Sequence, residues 1–298
     1  MYRIGIDLGG TNTVAGLVDE NGRIVDRQSV KTELPTTLDR IVRNVLVLTI
    51  KLLNANGISR TQVECVGVGV PCTADPNSGW MLDADHLGFP GGPLRDRLEA
   101  TLQLPVTVGN DANCAAWGEY KAGGYDGESF LLVTLGTGIG GGIILGGKSV
   151  TGVNNAAGEL GHMTIHMDGE PCGCGNSGCF EAYGSASALI RHACEATGEP
   201  ITEAKEVFDR AAAGETVFIQ LLDQYTTHLA VGLANLINIF GPDYLCIGGG
   251  VSHAGDALLI PVREKTMQRI YAKTAKRNTQ IILARLGNDA GILGAALL

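Results

Sequence analysis

Leu135-Gly136-Thr137-Gly138-Ile139-Gly140-Gly141-Gly142 puts five glycines into seven residues, between an apolar run at Phe130–Leu135 and a returning one at Gly142–Leu145. A hairpin turn needs one or two glycines. The surplus gives up chain entropy without adding core, and close approach of the backbone to a polyphosphate accounts for it, with Thr137 supplying a hydroxyl. No Lys-Ser/Thr follows, so the stretch is not a Walker A loop, and it turns back into a strand instead of opening a helix, so it is not a dinucleotide fingerprint. The chain's opening repeats the theme: an apolar strand over Tyr2–Leu8, the glycine turn Gly9-Gly10, and a second strand near Thr13–Val18. A strand, glycine hairpin and strand once in each half point to duplicated lobes. At 298 residues the chain fits two domains, and a cleft between lobes is the default place for a ligand.

Working outward, Thr37–Asn56 has helical apolar spacing and a stop at Gly57. Val63–Val70 reads as a buried strand, Leu94–Leu102 as a short helix, and Val106–Val108 as a strand that delivers Asn110 and Asp111 at its end. Beyond the loop-rich stretch from Thr151 to Cys179 helices dominate, the clearest over Thr216–Phe240. A strand at Tyr244–Ile247 then runs into Gly248-Gly249-Gly250. Gln280–Ala284 reads as a last strand, and the small, apolar tail Gly291–Leu298 suits close packing on the first lobe.

Composition bounds the function. Hydrophobic residues make up 45% and charged ones 18%, and no apolar run reaches the roughly 18 residues of a membrane span. The net charge of −9, with no Lys/Arg cluster, argues against nucleic acid as a partner. The opening residues carry no basic segment, apolar signal core or cleavage site, so a cytoplasmic protein is expected. The eight cysteines then read as thiols or metal ligands rather than disulfides.

Four groups carry chemistry. Asp7-Leu8-Gly9-Gly10-Thr11-Asn12 places a carboxylate beside a glycine turn, where backbone N–H groups can meet phosphate oxygens and Asp7 can hold Mg²⁺ through water. A plain hairpin with a capping aspartate is the competing explanation. Asn110-Asp111 follows a short strand. Phosphoryl transfer to a hydroxyl needs a carboxylate to accept the departing proton, and Asp111 fits, although the pair could simply cap the helix running toward Glu119. His162, Cys172, Cys174 and Cys179 match a closed tetrahedral structural Zn²⁺ site, the intervening Gly173, Gly175 and Gly178 letting the loop fold round the ion; His166 is a rival fourth ligand that spacing leaves open. Glu159 and Glu181 flank this cluster, placed to hydrogen-bond sugar hydroxyls or else to be surface charges.

Together IGIDLGGTN, VGNDANCAAWGE, LGTGIGGGI, AGELGH, CGCGNSGCFE and PDYLCIGGGV, in that order, resemble the ROK family of bacterial sugar kinases and sugar-responsive repressors. The resemblance implies an α/β actin-like ATPase (ribonuclease H-like) fold with two lobes around a ligand cleft. The expected division is residues 1–115 plus 285–298 for the small lobe and 116–284 for the large, zinc-bearing one. It further implies ATP, Mg²⁺ and structural Zn²⁺ as cofactors, and Asp111 as catalytic base. Asn110, Asp111, Glu159, His162 and Glu181 would contact the sugar, and His162, Cys172, Cys174 and Cys179 the zinc. Asp7, Gly9, Gly10, Thr11, Asn12, Thr137 and Gly138 would surround the phosphates and metal, with Gly249 and Gly250 near the adenosine. A homo-oligomer, dimer or tetramer, is implied as well. The expected reaction is phosphorylation of glucose at the 6-hydroxyl; allose, fructose, mannose and N-acetylmannosamine are alternatives. A repressor is disfavoured because only three residues precede Ile4, and a sugar binder without catalysis because Asp111 is present. The sequence departs from the family where Pro71 is followed by Cys72 instead of glycine and where Asp83-Ala84-Asp85-His86-Leu87 replaces an Asn-Leu, so Asp83 or Asp85 is expected to read a hydroxyl configuration.

Overall fold

In the computed structural model, residues 1–75, 77–82, 84, 87–275 and 278–298 are described, so Asp83 and Asp85 lie outside the described residues. In chain order the elements are β1 (Tyr2–Leu8), β2 (Asn12–Val18), β3 (Ile24–Lys31), α1 (Leu38–Asn56), β4 (Val63–Val70), β5 (Thr73–Ala74), β6 (Met81–Leu82), β7 (Gly91–Gly92), α2 (Leu94–Leu102), β8 (Val106–Asn110) and α3 (Asp111–Ala122). They continue with β9 (Phe130–Leu135), β10 (Ile139–Leu145), β11 (Lys148–Ser149), α4 (Phe180–Gly184), α5 (Ala186–Thr197), α6 (Ala204–Ala212), α7 (Thr216–Phe240), β12 (Tyr244–Gly248), α8 (Asp256–Met267), β13 (Gln280–Leu283) and α9 (Asp289–Ala296). Two compact units result: Met1–Asp126 with Ser149–Ala157 and Arg285–Leu298, and Gly127–Lys148 with Gly158–Ala284.

The first unit is built on a five-stranded sheet, β3-β2-β1-β4-β8. The opening strands pair antiparallel, while β1, β4 and β8 run parallel, so their C-terminal ends share one edge of the sheet. Helix α1 begins where the Thr37 side chain accepts the Arg40 N–H and ends where Gly57 takes φ 64°, a left-handed value that glycine adopts without strain. Between these caps Ile41, Val45, Leu48 and Leu52 form the stripe that meets the core. The C-terminal helix α9 lies against the sheet at glycines. A Cβ on Gly5 would stand 1.9 Å from the Ile292 carbonyl oxygen, and one on Gly67 would stand 1.7 Å from that of Ala295. The helix α3 packs on α9 in the same way, with a Cβ on Gly118 falling 2.0 Å from the Ala290 oxygen and one on Gly294 falling 1.6 Å from the Cys114 oxygen. Backbone against backbone is the reason the tail is small and apolar.

The second unit carries the sheet β11-β10-β9-β12-β13. Here β9 and β10 form the hairpin, and β9, β12 and β13 run parallel. Its long helix α7 buries Phe218, Leu221, Tyr225, Leu229 and Leu233 along one face. One local expectation needs correcting. The returning strand begins at Ile139, so Gly140, Gly141 and Gly142 belong to β10 and the turn is confined to Gly136–Gly138. Packing explains part of this: a Cβ on Gly141 would stand 2.4 Å from Leu160 Cδ1 and 3.1 Å from the Gly158 oxygen.

Candidate active site

In the first unit the C-terminal ends of β1, β4 and β8 bring Asp7, Asn110 and Asp111 together. Register aligns Asp7 with Gly69, and Gly69 with Gly109, the residue before Asn110. Glycine in the middle strand matters, since a Cβ on Gly69 would stand 3.4 Å from the Asp111 Cα and 3.4 Å from Cys114 Sγ. The two carboxylates therefore flank one buried thiol: burial, then the charges of Asp111 and Asp7, push the Cys114 thiol far above its ordinary value. Burial also pushes the Asp7 carboxyl up from its ordinary value. Ligands of open α/β sheets bind outside such strand ends.

Capping and function coexist at the start of α3. Asn110 Oδ1 accepts the Asn113 N–H at 3.0 Å, while its amide donates to the Cys72 carbonyl oxygen at 3.4 Å. Asp111 Oδ1 accepts the Ala112 N–H at 2.7 Å. A cavity of about 380 Å³ opens beside Asn110, lined among others by Arg95, Asn113, Trp117 and Asn155. At the adjoining hairpin Gly9 N–H donates to the Asn12 oxygen at 3.0 Å, Thr11 and Asn12 are exposed, and a Cβ on Gly10 would meet no atom within 4 Å. Gly10 is thus free of any packing demand.

In the second unit the two glycine turns touch. Gly249 has φ 82°, and a Cβ there would stand 2.4 Å from the Leu135 oxygen, so Thr137 and Gly138 after β9 and Gly249 and Gly250 after β12 form one backbone-rich surface. Glu181, second residue of α4, closes on that surface: its Oε2 accepts the Ile139 N–H at 2.8 Å, and a Cβ on Gly138 would lie 2.3 Å from the same oxygen. Glu159 is exposed, just before a short 3₁₀ turn over Leu160–His162.

The thiol cluster has the donor set and the size of a tetrahedral metal site. The ligand atoms of His162, Cys172, Cys174 and Cys179 all lie within 4.8 Å of one another. Cys174 Sγ and Cys179 Sγ are 3.7 Å apart, as are Cys172 Sγ and His162 Nδ1. Two sulfurs each ~2.3 Å from one tetrahedral Zn²⁺ stand about 3.8 Å apart, whereas a disulfide needs about 2 Å. The residues fit zinc. His166 stands outside this group, its ring centroid 4.5 Å from that of Tyr183 and 5.3 Å from that of His228. Burial pushes the Cys179 thiol up to about 12, while the Asn176 N–H lowers Cys174, so an incoming ion must displace protons.

The sequence pattern of the ROK family matches residues 3–298. The chain belongs to the ROK family. A glucokinase from Halalkalibacterium halodurans is 36% identical to this ROK chain over 312 residues, covering 100% of it and 94% of the relative. Among solved structures, a ROK family glucokinase from Streptomyces griseus in complex with glucose and AMPPNP superposes with a TM-score of 0.85 at 36% identity, covering 99% of this chain and 98% of the other. A ROK hexokinase from Thermus thermophilus does so with a TM-score of 0.83 at 34% identity, covering 100% and 98%. The α/β actin-like ATPase architecture expected from the sequence is the fold observed.

One residue of this ROK site region escaped the sequence reading. Glu119, at the far end of α3 from Asp111, is 0% exposed and accepts three hydrogen bonds. An acidic residue near a helix end gives no signal of burial, since two of its partners are the backbone N–H groups of Arg285 and Leu286, far along the chain, and the third is the Tyr125 hydroxyl.

Proposed function

We propose that this ROK protein is an ATP-dependent hexose kinase that transfers the γ-phosphoryl group to the 6-hydroxyl of glucose, with Asp111 as general base. The observation that carries the reading is the pair of carboxylates, Asp7 and Asp111, set on one edge of the sheet across the glycine of β4. The end-to-end similarity to glucokinases supports the choice of substrate. In the transfer the Asp111 carboxylate takes the hydroxyl proton, the sugar oxygen forms the new bond to the γ-phosphorus, and the electron pair of the breaking P–O bond leaves on ADP. Asn110, Glu159, His162 and Glu181 orient the sugar; His162 would meet zinc through Nδ1, leaving Nε2 for a hydroxyl. Gly9, Gly10, Thr11, Asn12, Thr137 and Gly138 take the phosphates, and Gly249 and Gly250 the adenosine. Mg²⁺, when bound, neutralises phosphate charge, and Asp7 is the oxygen donor that would hold it. Zinc, with four protein ligands, leaves no position for a substrate and serves to hold the loop.

Among the described residues no helix is long and apolar enough to cross a membrane. We further read the protein as cytoplasmic and as a homo-oligomer, dimer or tetramer, on the family resemblance. A second reading, another hexose or N-acetylmannosamine, is favoured by one feature: Cys72 stands where the family carries glycine, and its carbonyl accepts the Asn110 amide. A coupled ADP-release assay on a panel of hexoses and N-acetylhexosamines with ATP and Mg²⁺ separates the two. The highest kcat/KM is expected for glucose; a higher value for another sugar overturns the assignment, and no turnover with any sugar overturns the kinase.

A further inference from the structure

Glu119 belongs to the same helix as Asp111, eight residues on, or about 12 Å along the axis. It is 0% exposed. A carboxylate so buried persists only where its hydrogen-bonding capacity is met. Its Oε1 accepts the Tyr125 hydroxyl at 2.6 Å and the Arg285 backbone N–H at 2.7 Å, and its Oε2 accepts the Leu286 backbone N–H at 3.0 Å. The Arg285 guanidinium reaches elsewhere: Nη1 donates to the Gly123 oxygen at 2.6 Å, and the group lies 4.6 Å from the centre of the Tyr125 ring. The same side chain thus ties the end of α3 to the segment that leads into α9. Within a few residues lie two points at which the chain passes from one unit to the other, after Asp126 and before Arg285.

The opposite end of α3 is held too, by the Asn110 cap and its bond to the Cys72 oxygen. Between the ends, Gly118 and Gly294 bring the two helices into backbone contact, so α3 has no slack against α9. A rigid helix anchored at its C-terminal end fixes the direction in which its first residue presents a side chain.

We propose that Glu119 is a positioning residue for Asp111, anchoring α3 against the Arg285–Leu286 backbone so that the base meets the sugar hydroxyl in line. The proposal rests on the kinase reading of Asp111. In Glu119→Gln one acceptor becomes an NH₂ group that faces a backbone N–H donor, so at least one of the three bonds is lost at nearly constant volume. Tyr125→Phe removes one bond and leaves the carboxylate, giving a milder variant should the first fail to fold. A displacement of the base on the order of 1 Å costs up to about 100-fold in rate.

The test has two arms on the full-length, zinc-loaded protein. Hydrogen–deuterium exchange is expected to quicken at residues 120–126 and 285–288 in Glu119→Gln, and less so in Tyr125→Phe, with exchange in α7 unchanged. Steady-state kinetics with glucose and ATP are expected to show kcat down at least about 10-fold in Glu119→Gln, with both KM values within about 3-fold of wild type. Exchange that stays at the wild-type rate removes the anchor. Faster exchange with kcat within 2-fold of wild type leaves a structural clamp and overturns positioning. A wild-type protein that turns over no sugar strikes the kinase reading instead, and is told apart because the exchange arm does not depend on turnover.

Discussion

Asp7 and Asp111 stand on one edge of the first unit's sheet, and the proposed function gives the two carboxylates different tasks. Burial raises the Asp7 value, which means the folded protein disfavours its charged form. A carboxyl whose value is raised on folding contributes stability at low pH, and that contribution is lost as pH rises through the folded value. At neutral pH the ionised Asp7 is therefore a cost to the fold, one that the proposed Mg²⁺ would offset. Asp7→Asn is expected to raise the melting temperature at pH 7 without added Mg²⁺, by an amount that shrinks toward pH 4, while turnover is lost. A lower melting temperature at pH 7 would contradict this reading of the side chain. Glycine divides in a similar way. Gly10 has open space where a side chain would stand, whereas a Cβ on Gly138 would meet the Glu181 carboxylate. The sequence shows only that both are glycine.

Among the elements, those with local signals were legible. Thr37 and Gly57 bracket α1 because a cap and a left-handed stop act on their own neighbours, and the apolar spacing between them needs no tertiary help. The cysteine loop was legible because thiolate spacing is itself chemistry; spacing left the fourth ligand open between His162 and His166, and the family resemblance chose His162, because the local reasons, the bridge that pairs Thr164 with Cys179 and the stacking of His166 against Tyr183, are tertiary. The length of the glycine turn was misjudged because Gly141 answers to Leu160, a contact no local pattern reveals. Two predictions belong here. Gly294→Ala forces a Cβ to within 1.6 Å of the Cys114 oxygen. It is expected to destabilise by more than about 4 kcal/mol in chemical denaturation, and a loss below about 1 kcal/mol would mean that α3 and α9 are packed less closely than described. For the loop, elemental analysis is expected to find about one zinc per chain and much less in Cys174→Ser, with faster proteolysis near residues 164–179. Equal zinc in both proteins would rule out the four-ligand site.

At the scale of the whole molecule, repetition of a strand, glycine hairpin and strand in each half pointed to duplicated lobes, while the actin-like architecture followed from the family resemblance; the two five-stranded sheets carry the repeat, β1–β2 in one unit and β9–β10 in the other. The chain crossings after Asp126, Lys148 and Ala157 reflect which loop packs with which sheet, and no local pattern marks them; Asn155, donating to the Ala74 oxygen at 2.6 Å, belongs with Ser149–Ala157 to the first unit although the segments on either side, Gly127–Lys148 and Gly158–Ala284, belong to the second. Asp83 and Asp85, expected to influence sugar choice, fall outside the described residues. The proposed function hangs on one proton acceptor, Asp111. The decisive measurement compares wild type with Asp111→Asn for ATP-driven formation of a glucose phosphomonoester, alongside glucose and nucleotide affinities by calorimetry. Turnover is predicted to fall by about 10²–10⁴ with both affinities within a few-fold of wild type, and a variant that phosphorylates glucose within 3-fold of the wild-type rate would show that the reaction takes its base from elsewhere.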